Sequence, residues 1–409
     1  VLVFVTHTAR GPVQRTERAL APDLARGAML LFIALANCAG AFFASAPGVD
    51  TTPHGLERVY NLFMFTFVHA RAYPMFAIMF GYGLVQLARR QDAAAGDPRA
   101  ATSVLLRRNA WLFVFGAVHG VLLLGGDFLG GYGLVGIVFT LLLLRRGDRV
   151  YRFAPWYLAV VGVYLVVLPV VIALTNGTGG RAAQVPTSPN DSFAQPDYVA
   201  SMLSRVQEWP VHTITITGLI FVVWIGAWAA RKRILEEPAR HLRLLRVAAA
   251  GGIGLAVAGG LPMGLFSAGV FEVSVAAAPW VKLLYEVSGT FAGVGYVALF
   301  GLLSHALTTA MPAPRENVVV GALTALGQRS LSGYLFQSVA WAVLAWPFML
   351  GLGSEAASPT FAAAGSATAV WLVSLVAAHV MQRRSYRGPA EALLRQLVYR
   401  PGRAERATT

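Results

Sequence analysis

Charge is scarce in this chain. Asp, Glu, Lys and Arg make up 13% of it and hydrophobic residues 56%, with a mean hydropathy of +0.60; a soluble domain carries roughly 25% charged residues. Most of the chain therefore cannot form the surface of a water-exposed globule. Cysteine occurs once, at Cys38, which excludes an intrachain disulfide and a cysteine-based metal site. Cys38 falls in the first long apolar run, where a small packing residue is expected. Lysine occurs only at Lys232 and Lys282, so the net charge of +14 is almost wholly arginine. Neither a P-loop nor a GxSxG elbow occurs, which argues against an ATP-driven pump and a common serine hydrolase. His54, His212, His305 and His379 lack metal-ligand spacing, so no metal is assigned.

What the chain does have is a succession of apolar runs of membrane-spanning length. They read as Arg26–Ser45, Arg58–Ala88, Leu105–Leu124, Phe128–Leu144, Phe153–Leu174, Trp209–Ala230, Val247–Phe266, Val281–Leu303, Ala322–Trp346 and Phe361–Met381. The fold class expected is all-α, a polytopic transmembrane bundle of about ten spans. The arginines cluster between these runs rather than on one soluble face, the positive-inside pattern and not a nucleic-acid footprint. The long run Arg58–Ala88 crosses either once or as two half-spans. A single crossing puts Arg10/Arg15/Arg18/Arg26, Arg89/Arg90/Arg99/Arg107/Arg108, Arg145/Arg146/Arg149/Arg152, Arg231 to Arg246 and Arg383/Arg384/Arg387 on one side, and is preferred.

Both termini are then expected in the cytoplasm, the protein being multi-pass in a bacterial cytoplasmic membrane. Residues 1–25 form a cytoplasmic segment, 26–382 the membrane domain with an extracytoplasmic loop at 175–208 too polar to be buried, and 383–409 an amphipathic tail. Val1 to Val5 is too short an apolar run for a signal peptide, so the first helix is expected to act as an uncleaved anchor.

Ionisable groups inside spans need a partner or a task. His119 lies about 18 Å along its helix from Arg107, at 1.5 Å per residue, and the chain turns just before Asp127. The two are expected to meet, either as a general base with its orienting carboxylate or as a proton relay; the plainer reading has His119 bonding a neighbouring helix and Asp127 capping the next one. Gly116 and Gly120, with Gly130, Gly131, Gly133 and Gly136, permit close helix approach. Arg71, near His69, either holds an anionic group or reaches for the outer interface. Asn37, Tyr334, Gln337 and Ser338 offer uncharged hydrogen-bonding groups inside spans, and Asp23 and Arg26 suit an ion pair at the start of the first helix.

These motifs resemble, in order, those of the YeiB family of bacterial multi-spanning proteins, whose core is a domain of unknown function. The likeness runs through Asp23-Leu-Ala-Arg26-Gly27 with Asn37, then Arg71 and Phe80-Gly81-Tyr82-Gly83. Its strongest block is Gly116-Ala-Val-His119-Gly120 with Gly126-Asp127 and Tyr132-Gly133-Leu-Val-Gly136; Gly327 to Ser338 and Tyr386-Arg-Gly388-Pro389-Ala-Glu391 with Arg395 follow. Where the family carries Arg and Asn, this chain has Gln328 and Gly333, with an arginine displaced to Arg329. The family is distantly similar to transmembrane acyltransferases such as the lysosomal heparan glucosaminide acetyltransferase. That similarity implies an acyl group taken from cytoplasmic acyl-CoA, held among Arg26, Arg107 and Arg108, and passed to a small-molecule, glycan or lipid acceptor activated by His119 and Asp127. Asn37, Arg71, Tyr334 and Gln337 complete the expected binding set. Competing readings are a proton-linked transporter, with His119, Asp127 and Arg71 along its path, and a non-catalytic partner of membrane lipids.

Overall fold

The computed structural model describes residues 19–41, 52–95, 97–177, 181–185, 190–193, 195–346, 348–352 and 356–399. The expectations for Arg10, Arg15, Arg18 and residues 400–409 fall outside these. In chain order the α-helices are α1 Leu20–Ala41, α2 Leu56–Phe63, α3 Ala72–Ala95, α4 Pro98–Leu122, α5 Leu129–Leu142, α6 Asp148–Tyr151, α7 Trp156–Gly177, α8 Tyr198–Thr215, α9 Ile220–Arg231, α10 Leu242–Ser267, α11 Ala278–Ala310, α12 Val318–Gln328, α13 Ser330–Ala345, α14 Pro359–Arg383 and α15 Pro389–Val398. Among the described residues, the only strand-like pairing is an isolated bridge between Ala182 and Ser274.

Among the described residues, seven helical passages are long and apolar enough to cross a bilayer: Leu20–Cys38, Leu56–Ala94, Asp148–Gly177, Tyr198–Arg231, Pro238–Ser267, Ala278–Ala310 and Pro359–Arg383. The protein is thus an all-α polytopic bundle. Helices α4, α5 and α13 complete it. α4 has the length, at 25 residues, but carries Arg99, Arg107 and Arg108. α5 and α13 have only 14 and 16 residues, about 21 and 24 Å. Both are largely walled in by other helices, so neither has to match the full hydrocarbon thickness. The opposite case is the passage through α7, strongly apolar yet mostly exposed on the bundle's outside, a helix suited to face lipid.

Leu56–Ala94 is one passage with a break. α2 runs into a π-helical turn, Met64–Val68, after which His69 is extended and Ala70 takes a left-handed φ of 59°. Thr66 lies beside Gly264, Arg71 bonds Ala256, Gly81 lies against Val223 and Arg89 reaches Ala230. The contacts advance steadily toward the arginine-rich end, as one crossing requires. Non-helical backbone at this depth is tolerated only where protein surrounds it, and here glycines admit it. A Cβ on Gly289 would stand 2.1 Å from the Ala70 carbonyl oxygen, and one on Gly260 would stand 2.0 Å from Arg71 Nη2.

Two expected spans need correction. Ala322–Trp346 is not one helix: α12 ends at Gln328 and α13 begins at Ser330. α12 crosses only the first turns of α1, since Gly327 abuts the Asp23 carbonyl and Gly27 abuts that of Leu323. α13 then rises alongside, where Gln337 donates to the Leu30 carbonyl at 3.2 Å. The expected span Trp209–Ala230 begins earlier, at Tyr198. The polar stretch 175–208 is therefore partly helical, and Ser192, Ser201 and Arg205 in it are buried. Cys38 is fully buried among Ala34, Trp341 and Ala367, a packing residue as expected.

Candidate functional site

The α4–α5 hairpin positions the titratable pair. At the end of α4 the His119 carbonyl accepts from Leu123 and Leu124 N–H, and Gly125-Gly126 turns the chain. Asp127 follows, its Oδ2 accepting from Gly130 N–H at 2.7 Å and so capping α5. Its other oxygen lies 2.8 Å from His119 Nδ1, and both side chains are almost completely buried. One carboxylate thus fills the capping role and the orienting role together. With the carboxylate on Nδ1, the neutral ring carries its proton there and leaves Nε2 as a base. Nε2 is buried and has no hydrogen-bond partner. The hairpin closes this tightly because Gly116 is bare: a Cβ would stand 2.0 Å from Gly130 N and 2.7 Å from Asp127 Oδ2.

A cavity of about 280 Å³ lies beside this pair. At the arginine-rich end its wall includes Arg26, Arg108, Gln328 and Glu391; Phe76, Phe80 and Tyr132 line the middle; Asn37, Tyr73 and Tyr334 close the far end. From Arg26 to Asn37 the wall follows α1 for about 16 Å. Arg26 donates to the Met79 carbonyl at 3.1 Å and passes over Gly83. Arg108 stands 5.8 Å above the Phe80 ring. Tyr334 is the contact between cavity and pair: its ring is 5.0 Å from that of His119, and its buried hydroxyl lies close to the Asp127 carboxylate and the Phe128 backbone. The break before α3 reaches the same wall through Ala70 and Ala72.

Among the expected binding residues, Arg26, Asn37, Arg108 and Tyr334 line this cavity, while His119 and Asp127 stand behind Tyr334. Three others lie elsewhere. Arg107 is exposed, turned about 100° around α4 from the half-buried Arg108. Gln337 is buried between α13 and α1, its Oε1 without a partner. Arg71 is fully buried and binds protein: Nε to the Thr66 carbonyl at 3.2 Å, Nη1 to Tyr285 at 2.9 Å, and Nη2 to Ala256 at 3.1 Å and the Ser288 hydroxyl at 3.2 Å. Its role in the structure is to hold the broken passage. Asp23 accepts from Gln328 at 2.9 Å and lies 3.8 Å from Arg315. Arg329 donates to the carbonyls of Ala325 and Tyr386.

Sequence reasoning missed two residues that shape the site. Arg205, in the stretch read as an exposed loop, is fully buried and donates to the Val121 and Leu122 carbonyls at 2.8 and 3.2 Å, satisfying the end of α4 one turn beyond His119. Nothing local in the sequence marks it. Glu391 anchors α15 beneath the cavity: Oε1 accepts from Leu331 and Ser332 N–H at 2.9 and 3.1 Å, capping α13, and Oε2 accepts from the Ser332 hydroxyl. The helical pattern of Glu391 and Arg395 announced an amphipathic helix but not what it covers. Nearby, burial pushes the Tyr399 phenol up, against the pull of Arg108 and Arg395. Glu391→Ala is expected to undock α15, making Arg395 markedly more susceptible to limited trypsin digestion. A digestion rate equal to the parent's would refute the anchoring role.

Comparison with known proteins gives likeness without activity. The chain is 24% identical over 355 residues, 81% of its length and 80% of the relative's, to "Uncharacterized protein YxaH" of Bacillus subtilis (strain 168). It is 32% identical over 127 residues, 31% of its length and 34% of the relative's, to "Uncharacterized 39.9 kDa protein in amylase 3'region" of Bacillus acidopullulyticus. No solved structure matches. Residues 229–401, which contribute Gln328, Tyr334 and Glu391 to the cavity, match the family described as "Protein of unknown function (DUF418)".

Proposed function

We propose that this protein transfers an acyl group across a bacterial cytoplasmic membrane, from acyl-CoA approaching on the arginine-rich, cytoplasmic side to a hydroxyl or amine acceptor reached from the other side. The observation that carries this reading is a single cavity with Arg26 and Arg108 at one end and, at the other, the Tyr334 hydroxyl in front of a His119–Asp127 pair at 2.8 Å. The YeiB-like motif order and its distant acyltransferase similarity point the same way.

The fit sets limits on how the cosubstrate sits. Small-molecule sites start at about 300 Å³, so a cavity of about 280 Å³ takes the narrow acyl and pantetheine portion and leaves the nucleotide at the mouth. There Arg26 and Arg108 face its phosphates, while Glu391 is engaged by the end of α13. In the transfer the acceptor oxygen or nitrogen bonds to the thioester carbonyl carbon and the carbon–sulfur bond breaks. The acceptor proton passes to His119 Nε2, with Tyr334 as the cavity-side partner, and then to the departing CoA thiolate. Asp127 stabilises the imidazolium formed in between.

The test is binding of acyl-CoA to purified protein by isothermal titration, with Arg26→Gln and Arg108→Gln variants. The expected result is micromolar binding weakened about tenfold or more by each variant, a charge-assisted hydrogen bond contributing roughly 1.5–3 kcal/mol. Absence of acyl-CoA binding, together with proton-coupled solute flux in proteoliposomes, would replace this reading with a transporter.

A further inference from the structure

Arg107 and Arg108 are neighbours in sequence with opposite surroundings. Arg108 faces the cavity, and Arg107 stands on the outer face of α4. There Arg99, Ser103 and Arg107 recur every four residues and stack on one side of the helix. Together with Thr102, Leu106, Ala110 and Arg145 they line an open groove of about 640 Å³. Arg145 is engaged: it holds Asp92 through two hydrogen bonds of 2.8 and 2.9 Å and reaches the Thr102 hydroxyl at 3.3 Å. It braces the wall. Among the described residues neither Arg99 nor Arg107 makes an ion pair; Asp97, at the end of the groove, uses its carboxylate to cap Arg99 N–H at 2.8 Å, which leaves the two guanidinium groups as the groove's open donors.

The same side of α4 continues as an apolar track. Val114, Val118 and Leu122 are 43%, 54% and 40% exposed, well above the fully buried Leu105 on the inner side. From Arg107 to Leu122 the track rises about 22 Å, more than the roughly 15 Å of hydrocarbon in one leaflet. Two unpaired arginines with a hydroxyl between them, at the arginine-rich end of a lipid-length apolar strip, match a phosphate head with an acyl chain below it. A free phosphate would use the arginines and leave the strip without a purpose.

We infer that this groove binds an anionic phospholipid of the adjoining leaflet, its phosphate between Arg99, Ser103 and Arg107 and one acyl chain along Val114, Val118 and Leu122. The site lies outside the cavity and is independent of the acyl-transfer reading. A basic side chain near an anionic membrane surface contributes about a factor of five in affinity. Removing two is therefore expected to weaken binding about 25-fold.

The experiment titrates long-chain phosphatidylglycerol into the purified full chain in neutral detergent and follows the thermal midpoint, with bound lipid counted by native mass spectrometry. Phosphatidylglycerol is expected to raise the midpoint and add one retained lipid, while phosphatidylcholine and inorganic phosphate do neither. In Arg99→Gln/Arg107→Gln the half-saturating concentration should rise about 25-fold, whereas Arg99→Lys/Arg107→Lys keeps most of the response. Arg384→Gln/Arg387→Gln, an equal charge loss away from the groove, should behave as the parent. An equal response to phosphatidylcholine, a shift reproduced by inorganic phosphate, or equal weakening in the Arg384/Arg387 control would each overturn the assignment.

Discussion

Arg71→Leu is expected to abolish the folded protein rather than tune it. The guanidinium is fully buried and supplies the donors for three main-chain carbonyls, at Thr66, Ala256 and Tyr285, together with a bond to Ser288. It also lies 4.7 Å from the centre of the Tyr285 ring. These carbonyls come from the π-helical turn, α10 and α11, so one side chain ties the broken passage to both helices that cover it. Leucine removes every donor and puts none in place. The Tyr285 carbonyl keeps the Ser288 hydroxyl at 2.8 Å, so the loss is that of the guanidinium hydrogen bonds themselves: each contributes about 1.5–3 kcal/mol, and three amount to about 4–9 kcal/mol, comparable with the entire net stability of a typical domain at about 5–15 kcal/mol. Size-exclusion profiles of a fluorescent fusion should show loss of the monodisperse peak. Lysine should recover part of it, having donors but not the planar fork. A sharp peak and an unchanged thermal midpoint in Arg71→Leu would show that the junction is held by packing alone.

Asp127→Asn is expected to leave the fold standing and remove the chemistry. Aspartate offers two acceptor oxygens here, one to Gly130 N–H and one to His119 Nδ1. Asparagine offers one. The backbone N–H has no alternative tautomer and the imidazole has, so the amide oxygen stays on Gly130 and the amide NH2 turns to the histidine. His119 then accepts at Nδ1 and carries its proton on Nε2, where a base is needed. A carboxylate-to-amide change of this kind in a serine protease triad lowers turnover about 10⁴-fold. A loss of about 10³- to 10⁴-fold in the proposed acyl transfer is expected, with the thermal midpoint nearly unchanged because Asn caps a helix about as well as Asp. Asp127→Ala should lose activity and also about 1 kcal/mol of stability with the cap. If Asp127→Asn destabilises as strongly as Asp127→Ala while any activity persists, the pair is structural only.

The pairing of His119 with Asp127 was legible because both ends of the argument are local. A helix of known rise and a turn of a few residues leave little freedom in where the two side chains arrive. The glycines of α4 and α5 were legible for the same reason, as small residues at helical spacing against a short connection. Arg71 shows the limit. Its depth followed from counting residues back from Arg89, but three of its four partners lie 185 to 217 residues away and only Thr66 is local. No periodicity could say whether it would meet a ligand or three carbonyls. Arg205 was hidden more completely, since a polar stretch containing an arginine reads as a loop until the end of α4 is found beneath it.

The sequence by itself determined that the chain is an all-helical membrane bundle, that its arginines gather between the apolar runs, and that a histidine and a carboxylate come together at the α4–α5 turn. Hydropathy and helical rise act over one or two turns, so these features survive any arrangement of the helices. Only the tertiary structure decided that Arg107 and Arg108 part company, one outside and one in the cavity, that the ninth run breaks at Arg329, and that Glu391 caps α13. Each depends on which distant elements come to lie against these residues, and that is settled by packing.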